Sequence, residues 1–563
     1  MNVESKIKVV DGIPRLEING RITDGMASMT YYTDKSCHAD FAARGYRLFS
    51  LPVFFGDLTI NENTHIPPFK KGIFTEETPD FTELDRDALD IIAARADAYI
   101  FPRIDVSLPS RWLEANPDEL CDTGTANFPN SRRECFSSDK WACEVKRLLT
   151  LLVEHVESSP YRDNIVGYQI SGGLTQEWMA FDINGSQGRR SREKFAEYCE
   201  KNKLDGCESE YYAFLSHMTA QRICEFAEHV KSLIEHRLLV GAFYGYTMEL
   251  ADRAFTHHAL GEVLASPYID FLCSPISYAN FRKAGHDHAY MLPIDSVKLH
   301  GKLYFSENDT RTHLTLPPNE IPAYNTPIWY GPNSEQSKNI LKMHFARALT
   351  HAHALWWFDM WGGWYACEEY MSLLEKMRDI SEESIDMPLA SISEIAVFID
   401  ENAVFSADPT VYRHVCYDIR DVLGCSGAPY DIYLASDYLK VADKYRAAVV
   451  LSPSETALES EICRYLDDIQ TPVLKITLEN ADISTKELRK FLIDAGVCLF
   501  CDRDAVVYAN ESYIFVHTAE KGLYNIKTSH GVALIDAFTG DSVSGEINCS
   551  LGESFLFKKV RKI

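Results

Sequence analysis

The sequence predicts a (β/α)8 barrel followed by a small open α/β unit and a C-terminal antiparallel β-sandwich. Three observations carry this. Eight short, apolar, β-rich runs alternate with amphipathic helical stretches from about residue 26 to residue 385. Four further strand and helix alternations follow MPLASISEIAVFIDENA. From about residue 505 the helical patterns stop and short strands separated by turn signals take over.

The eight runs are 26–33, 46–55, 98–106, 164–171, 238–246, 268–278, 301–309 and 353–361. Most are continuously apolar, as strands covered on both faces must be. Between them lie helix patterns such as FTELDRDALDIIAARA, KWACEVKRLLTLLVEHVES and SEQSKNILKMHFARALTHAH. The second unit reads as strands 394–399, 430–435, 447–452 and 471–476 with helices between, an open sheet of the Rossmann or flavodoxin type. It has no glycine-rich phosphate loop after its first strand. These readings give domains at 1–388, 389–504 and 505–563.

Composition narrows the function. The 563 residues carry 56 basic and 82 acidic side chains, a net charge of −26. That argues against nucleic acid, bound largely through Lys and Arg on phosphates, and against an anionic membrane surface. No apolar run reaches 18 residues and the N-terminal stretch lacks a signal-peptide core. The 15 cysteines are odd in number and scattered. The Cys498/Cys501 pair lies in an apolar run with no second pair nearby, and Cys121, Cys135 and Cys143 fit no zinc spacing, so no metal is expected and reduced thiols point to a cytoplasmic location.

In a barrel, chemistry sits at the C-terminal ends of the strands. Glu177 follows the fourth strand in SGGLTQEWMAFD, and Glu307 ends the seventh in SENDTRTH. Two carboxyls so placed suit retaining glycoside hydrolysis, in which one attacks the anomeric carbon and the other exchanges a proton with the leaving oxygen and then water. Arg311 beside Glu307 is expected to lower its pKa, as a nucleophile needs, and Trp178 to desolvate Glu177, as an acid needs. The eighth strand ends in ALWWFDMWGGWY, where Trp361 is expected to floor the sugar subsite, one of Trp356 and Trp357 to be core, and Asp359 to hold hydroxyls. Further binding candidates are Gln176, Arg103, Asp105 and Asp309, together with Trp178 and Arg311, with Asp57, Tyr244 and Tyr246 weaker. His257 and His258 read as packing or surface residues in a helical stretch.

The stretches GYQISGGLTQEW, SENDTRTH and WWFDMWGGW, with the order of the three units, resemble clan A glycoside hydrolases. The layout is similar to family 42 β-galactosidases and family 164 β-mannosidases. The resemblance implies Glu177 as acid/base, Glu307 as nucleophile, no cofactor, and a homotrimer assembled through the α/β unit. Gln176 stands where the clan usually has Asn. The expected activity is exo-acting hydrolysis of terminal β-linked sugars of short oligosaccharides, galactose first and mannose as the alternative. From another class, the alternative is a non-catalytic carbohydrate-binding protein on a decayed barrel.

Overall fold

A computed structural model describes residues 3–31, 37–58, 71–121, 132–181, 185–315, 333–360, 362–528 and 531–561. Eight parallel strands close into a barrel in sequential order: Met26–Met29, Leu48–Phe54, Tyr99–Asp105, Gly167–Ser171, Leu239–Phe243, Phe271–Pro275, Leu303–Asn308 and Ala354–Phe358. Each lies within a run read from the sequence. Among the described residues no helix is long and apolar enough to cross a membrane, and no group of three His, Cys, Asp or Glu side chains is placed to hold a metal ion.

The barrel floor shows why strand residues pack as they do. Phe101, Phe271 and Phe305 meet edge to face, with centroids 5.5–5.9 Å apart. Glycines on the strands between make room for them. A Cβ on Gly241 would stand 2.3 Å from the Phe271 ring, and one on Gly167 2.9 Å from Phe101. Above this layer Trp356 lies on Phe305 inside the barrel. Trp357, one residue on, points outward and donates its indole N–H to the Tyr46 hydroxyl at 3.0 Å. The period-two alternation of a strand thus divides the tryptophan pair.

The outer helices follow the amphipathic stretches. Asp139–Ser158 begins at an N-cap, where Ser138 Oγ accepts the Trp141 N–H, and buries Val145, Leu148, Leu149, Leu152 and Val156 on one face. Ser334–His351 starts the same way at Asn333.

One element is additional to the sequence reading. A three-stranded antiparallel sheet, Ser5–Val10, Ile13–Ile18 and Arg21–Ile22, precedes the barrel. Its two turns, Asp11-Gly12 and Asn19-Gly20, have all four residues at positive φ, the twist that joins strands by two residues. Ser5 bonds to Val166 and Arg237, so the sheet covers the end of the barrel opposite the strand C-termini.

Beyond the barrel, Ile395–Ile399, Asp431–Leu434, Ala447–Leu451 and Val473–Ile476 form an open parallel sheet in the order 2-1-3-4. The C-terminal part holds a five-stranded antiparallel sheet and a two-stranded ribbon. Val507, Val516 and Phe557 of the sheet share one core with Tyr524 and Cys549 of the ribbon.

Candidate active site

Glu307 is the penultimate residue of the seventh strand, paired to Pro275 on one side and Trp356 on the other. Its side chain points into the barrel and is about 4% exposed. Arg103, inward on the third strand, donates Nη1–H to Glu307 Oε2 at 2.8 Å. The same guanidinium lies 4.3 Å above the Phe243 ring, so an aromatic face and a carboxylate hold a fully buried cation.

Glu177 arrives differently. After Ser171 the chain makes a tight turn in which Gly173, Thr175, Gln176 and Trp178 all have positive φ. Three of these carry side chains, and such a conformation costs each about 1 kcal/mol or more. Cross-links hold it: Leu174 N–H to Met179 O at 2.8 Å, Trp178 N–H to Gly172 O at 2.6 Å, and Glu177 N–H to Leu174 O at 3.1 Å. A Cβ on Gly173 would meet Met179 O at 2.3 Å, so this position requires glycine. The turn delivers the Glu177 carboxyl to two hydroxyls. Tyr246 O–H donates to Oε1 at 2.8 Å, and Thr175 O–H donates to Oε2.

Both carboxyls are raised above the ordinary range because burial disfavours their charge. Burial pushes Glu307 up to about 8; Arg103 pulls it down, while Glu177 and Asp309 push it further up. Burial also raises Glu177, against the lowering effect of Thr175, Tyr246 and Arg103. Each carboxyl therefore lies in a site that resists two negative charges together. The partners differ in kind: Glu307 faces a guanidinium, which favours the anion, and Glu177 bonds neutral hydroxyls. Tyr246 is itself held well above its usual value by burial and by the Glu177 charge, so it stays an O–H donor.

Two expectations about Glu307 are corrected here. The cation bonded to it is Arg103, not Arg311, which lies 5.6 Å from the Trp364 ring centroid. Its pKa is raised rather than lowered, since desolvation outweighs the neighbouring positive charge.

Other candidates separate by direction. Gln176 is buried, and its Oε1 accepts from Tyr31 O–H at 3.1 Å. Asp105 accepts the Ser107 N–H at 3.0 Å, with burial raising its carboxyl and Arg133 and Gln176 opposing that. Asp309 pairs with Arg282. Asp359 accepts N–H bonds from Gly363 and Trp364, both at 3.0 Å, and so shapes the turn after the eighth strand. Asp57 is exposed and bonds Ser110. Trp361 lies outside the described residues.

Trp178 and Tyr244 do not face the mouth. Trp178 donates Nε1–H to Ile170 O at 3.0 Å and packs between Phe136 and Phe226, anchoring the turn from behind. Tyr244 donates its hydroxyl to Thr256 O and Ser216 O, toward the outer helices. Two residues on, across Gly245 at φ +90°, Tyr246 turns to Glu177. His257 and His258 precede the helix Leu260–Ala265 instead of lying in it, and both are fully buried. His257 Nδ1 accepts the Tyr246 N–H at 3.2 Å, and burial lowers its pKa to about 3, so it is neutral. Tyr31 and Thr175 were not singled out from the sequence; the available signal was a polar side chain beside a strand C-terminus.

No family model matches the sequence, and no curated protein matches it. Solved structures do. A β-galactosidase from the psychrophilic Marinomonas ef1 aligns with TM-score 0.63 at 12% identity, covering 95% of this chain and 100% of that one. A glycoside hydrolase family 42 β-galactosidase from G. stearothermophilus aligns with TM-score 0.63 at 10% identity, over 99% and 100%. An exo-carrageenase of the same family from Bacteroides ovatus gives 0.58 at 10%, over 99% and 86%. Two of these three neighbours are family 42 enzymes, and at such identity the likeness is one of fold.

Proposed function

We propose that the chain is an exo-acting retaining β-glycosidase, with β-galactosides of short oligosaccharides as first substrates. The observation that carries the reading is the unequal pair at one barrel mouth: Glu307 against a buried guanidinium, Glu177 against two hydroxyls. Glu307 attacks the anomeric carbon while Glu177 gives its proton to the departing glycosidic oxygen. As the bond breaks, Glu307 becomes an ester and its charge leaves the site. Glu177, now anionic, keeps the Tyr246 and Thr175 hydroxyl bonds that stabilise that charge. It then takes a proton from water, which displaces Glu307 and releases the sugar with its configuration retained. No cofactor enters these steps.

Nitrophenol release from a panel of aryl β-glycosides tests the activity. Release from galactosides first supports the reading, release only from mannosides moves the sugar, and none from any member makes the chain a binder. Azide tests the roles. Glu307→Gly should give the α-glycosyl azide and Glu177→Ala the β-glycosyl azide, distinguished by anomeric proton coupling. Reversed products would exchange the two assignments.

The α/β unit is proposed to assemble the chain as a trimer. Leu439, Leu478 and Ile493 on that unit are exposed by 58% or more, apolar side chains available for burial between copies. A monomer in sedimentation at micromolar concentration would rule this out. A cytoplasmic location is proposed from the scattered cysteines, odd in number and without a disulfide-like spacing.

A further inference from the structure

The loop after the fifth barrel strand carries Tyr246 to Glu177 on its inner side, and the α/β unit lies against its outer side. Tyr412 O–H donates to Thr247 O at 2.5 Å, one residue from Tyr246. Glu401 accepts the N–H groups of Leu260 and Gly261, at 2.5 and 3.1 Å. Arg253 donates back to Phe405 O at 2.7 Å. The His258 ring meets Phe405 and Tyr412 edge to face, and its neighbour His257 holds the Tyr246 N–H. Arg420 of the same unit reaches Glu249 at 2.9 Å and Tyr290 O at 2.7 Å.

These bonds satisfy loop groups that are buried. Thr247 is fully covered, as are Leu260, Tyr412 and Arg420 to within 1%. A carbonyl or N–H in such a place needs a partner, and here the partner belongs to the neighbouring unit. The loop also bonds the turn that carries Glu177, through Ala180 N–H to Phe255 O at 3.3 Å. Glu307 depends on none of this, because the barrel ladder and Arg103 fix it. The helical segment of the α/β unit that supplies both Tyr412 and Arg420 contains a wide turn at Arg413–Asp418, an irregularity that recurs near functional sites.

We infer that the α/β unit is a positioning element for the proton donor, with Tyr412 and Glu401 as positioning residues that fix the strand-five loop and, through Tyr246, the Glu177 carboxyl. The inference rests on Glu177 being the acid/base. It gives the second unit a role in the chemistry of its own chain, separate from assembly.

The experiment uses the full chain with Tyr412→Phe and Glu401→Gln, each assayed on 2,4-dinitrophenyl β-galactoside and methyl β-galactoside, or on the mannoside pair if the wild type prefers mannose. For the methyl glycoside kcat/KM should fall about tenfold or more, because its leaving group needs the proton. For the dinitrophenyl glycoside kcat/KM should change less than about twofold, because glycosylation of Glu307 then proceeds without that proton. Equal loss on both substrates, or none on either, overturns the inference while Glu177→Ala still separates the two. If Glu177→Ala fails to separate them, the acid/base reading falls and the inference with it. Tyr412→Phe keeps the ring and decides alone should Glu401→Gln not fold.

Discussion

The seventh strand delivers Glu307 from a regular ladder, with paired neighbours on both sides. The fourth strand ends at Ser171, and Glu177 follows on a turn with three non-glycine residues in the left-handed region. One carboxyl is fixed by main-chain hydrogen bonds shared around a closed barrel and by a cation on the opposite wall. The other is fixed by a strained turn, an indole behind it, and hydroxyls from two loops. A nucleophile must meet one carbon at one distance, which rigid strands provide. An acid/base serves a leaving group in one step and a water in the next, and a turn held by several separable contacts can be adjusted for both.

Removing each carboxyl is the largest way to break this comparison. Glu307→Gly should lower kcat by roughly 10⁵-fold or more on every substrate, as nucleophile losses do. Glu177→Ala should cost about 10²–10⁴-fold where the leaving group needs protonation. For dinitrophenyl glycosides it should leave a fast burst followed by slow turnover, read by stopped flow.

Arg103→Met tests the cation. Arg103 lowers the Glu307 pKa, so its removal must raise it further from about 8. More Glu307 is then protonated at neutral pH. Activity near pH 7 should fall roughly 10- to 10³-fold, the scale of a pKa displaced by one to three units. The acidic limb of kcat/KM should move to higher pH. An unmoved limb would show that Arg103 only fills space.

Trp178→Phe keeps a ring behind the turn and removes the donor to Ile170 O. Ile170 stays paired to Ala242 in the barrel ladder, so the loss is that of one hydrogen bond, about 0.5–1.5 kcal/mol of stability, measurable by urea denaturation. Loss of activity should be greater on poor leaving groups than on good ones, since the turn holds Glu177 and not Glu307.

A further effect concerns stability alone. The folded pKa of Glu307 lies above its ordinary value, so the folded chain binds this proton more tightly than the unfolded one. The corresponding stability is complete below about pH 4.5 and is lost as pH rises through about 8. Glu307→Gln has no such proton to lose. Whatever its offset from an unpaired Arg103, its Tm relative to wild type should climb between about pH 5 and pH 8.5. A flat difference would mean that Glu307 stays ionised throughout.

Much of this organisation could be read in the chain. All eight barrel strands fall within the apolar runs, and the two carboxyls stand at or just past strand C-termini. The first sheet carries a readable signal: Asp11-Gly12 and Asn19-Gly20 are the dipeptides that two-residue hairpins favour. Other features had no local signal. Arg311 is four residues from Glu307 in the chain, yet the guanidinium bonded to it comes from Arg103, 204 residues away. Tyr244 and Tyr246 look alike in GAFYGYT, and only the positive φ at Gly245 and the packing of Tyr244 toward Thr256 separate them.

By itself the sequence determined the alternation of elements, the parallel sheets and the residues standing at strand ends. Hydrophobic periodicity and turn chemistry act over a few residues and are written in residue order. Only the tertiary structure decided which cation meets which carboxyl, which aromatic faces the mouth, and that the α/β unit bonds the loop after the fifth strand. Those outcomes depend on barrel closure, which brings distant strands face to face, and on strand alternation, in which a shift of one residue reverses the direction of a side chain.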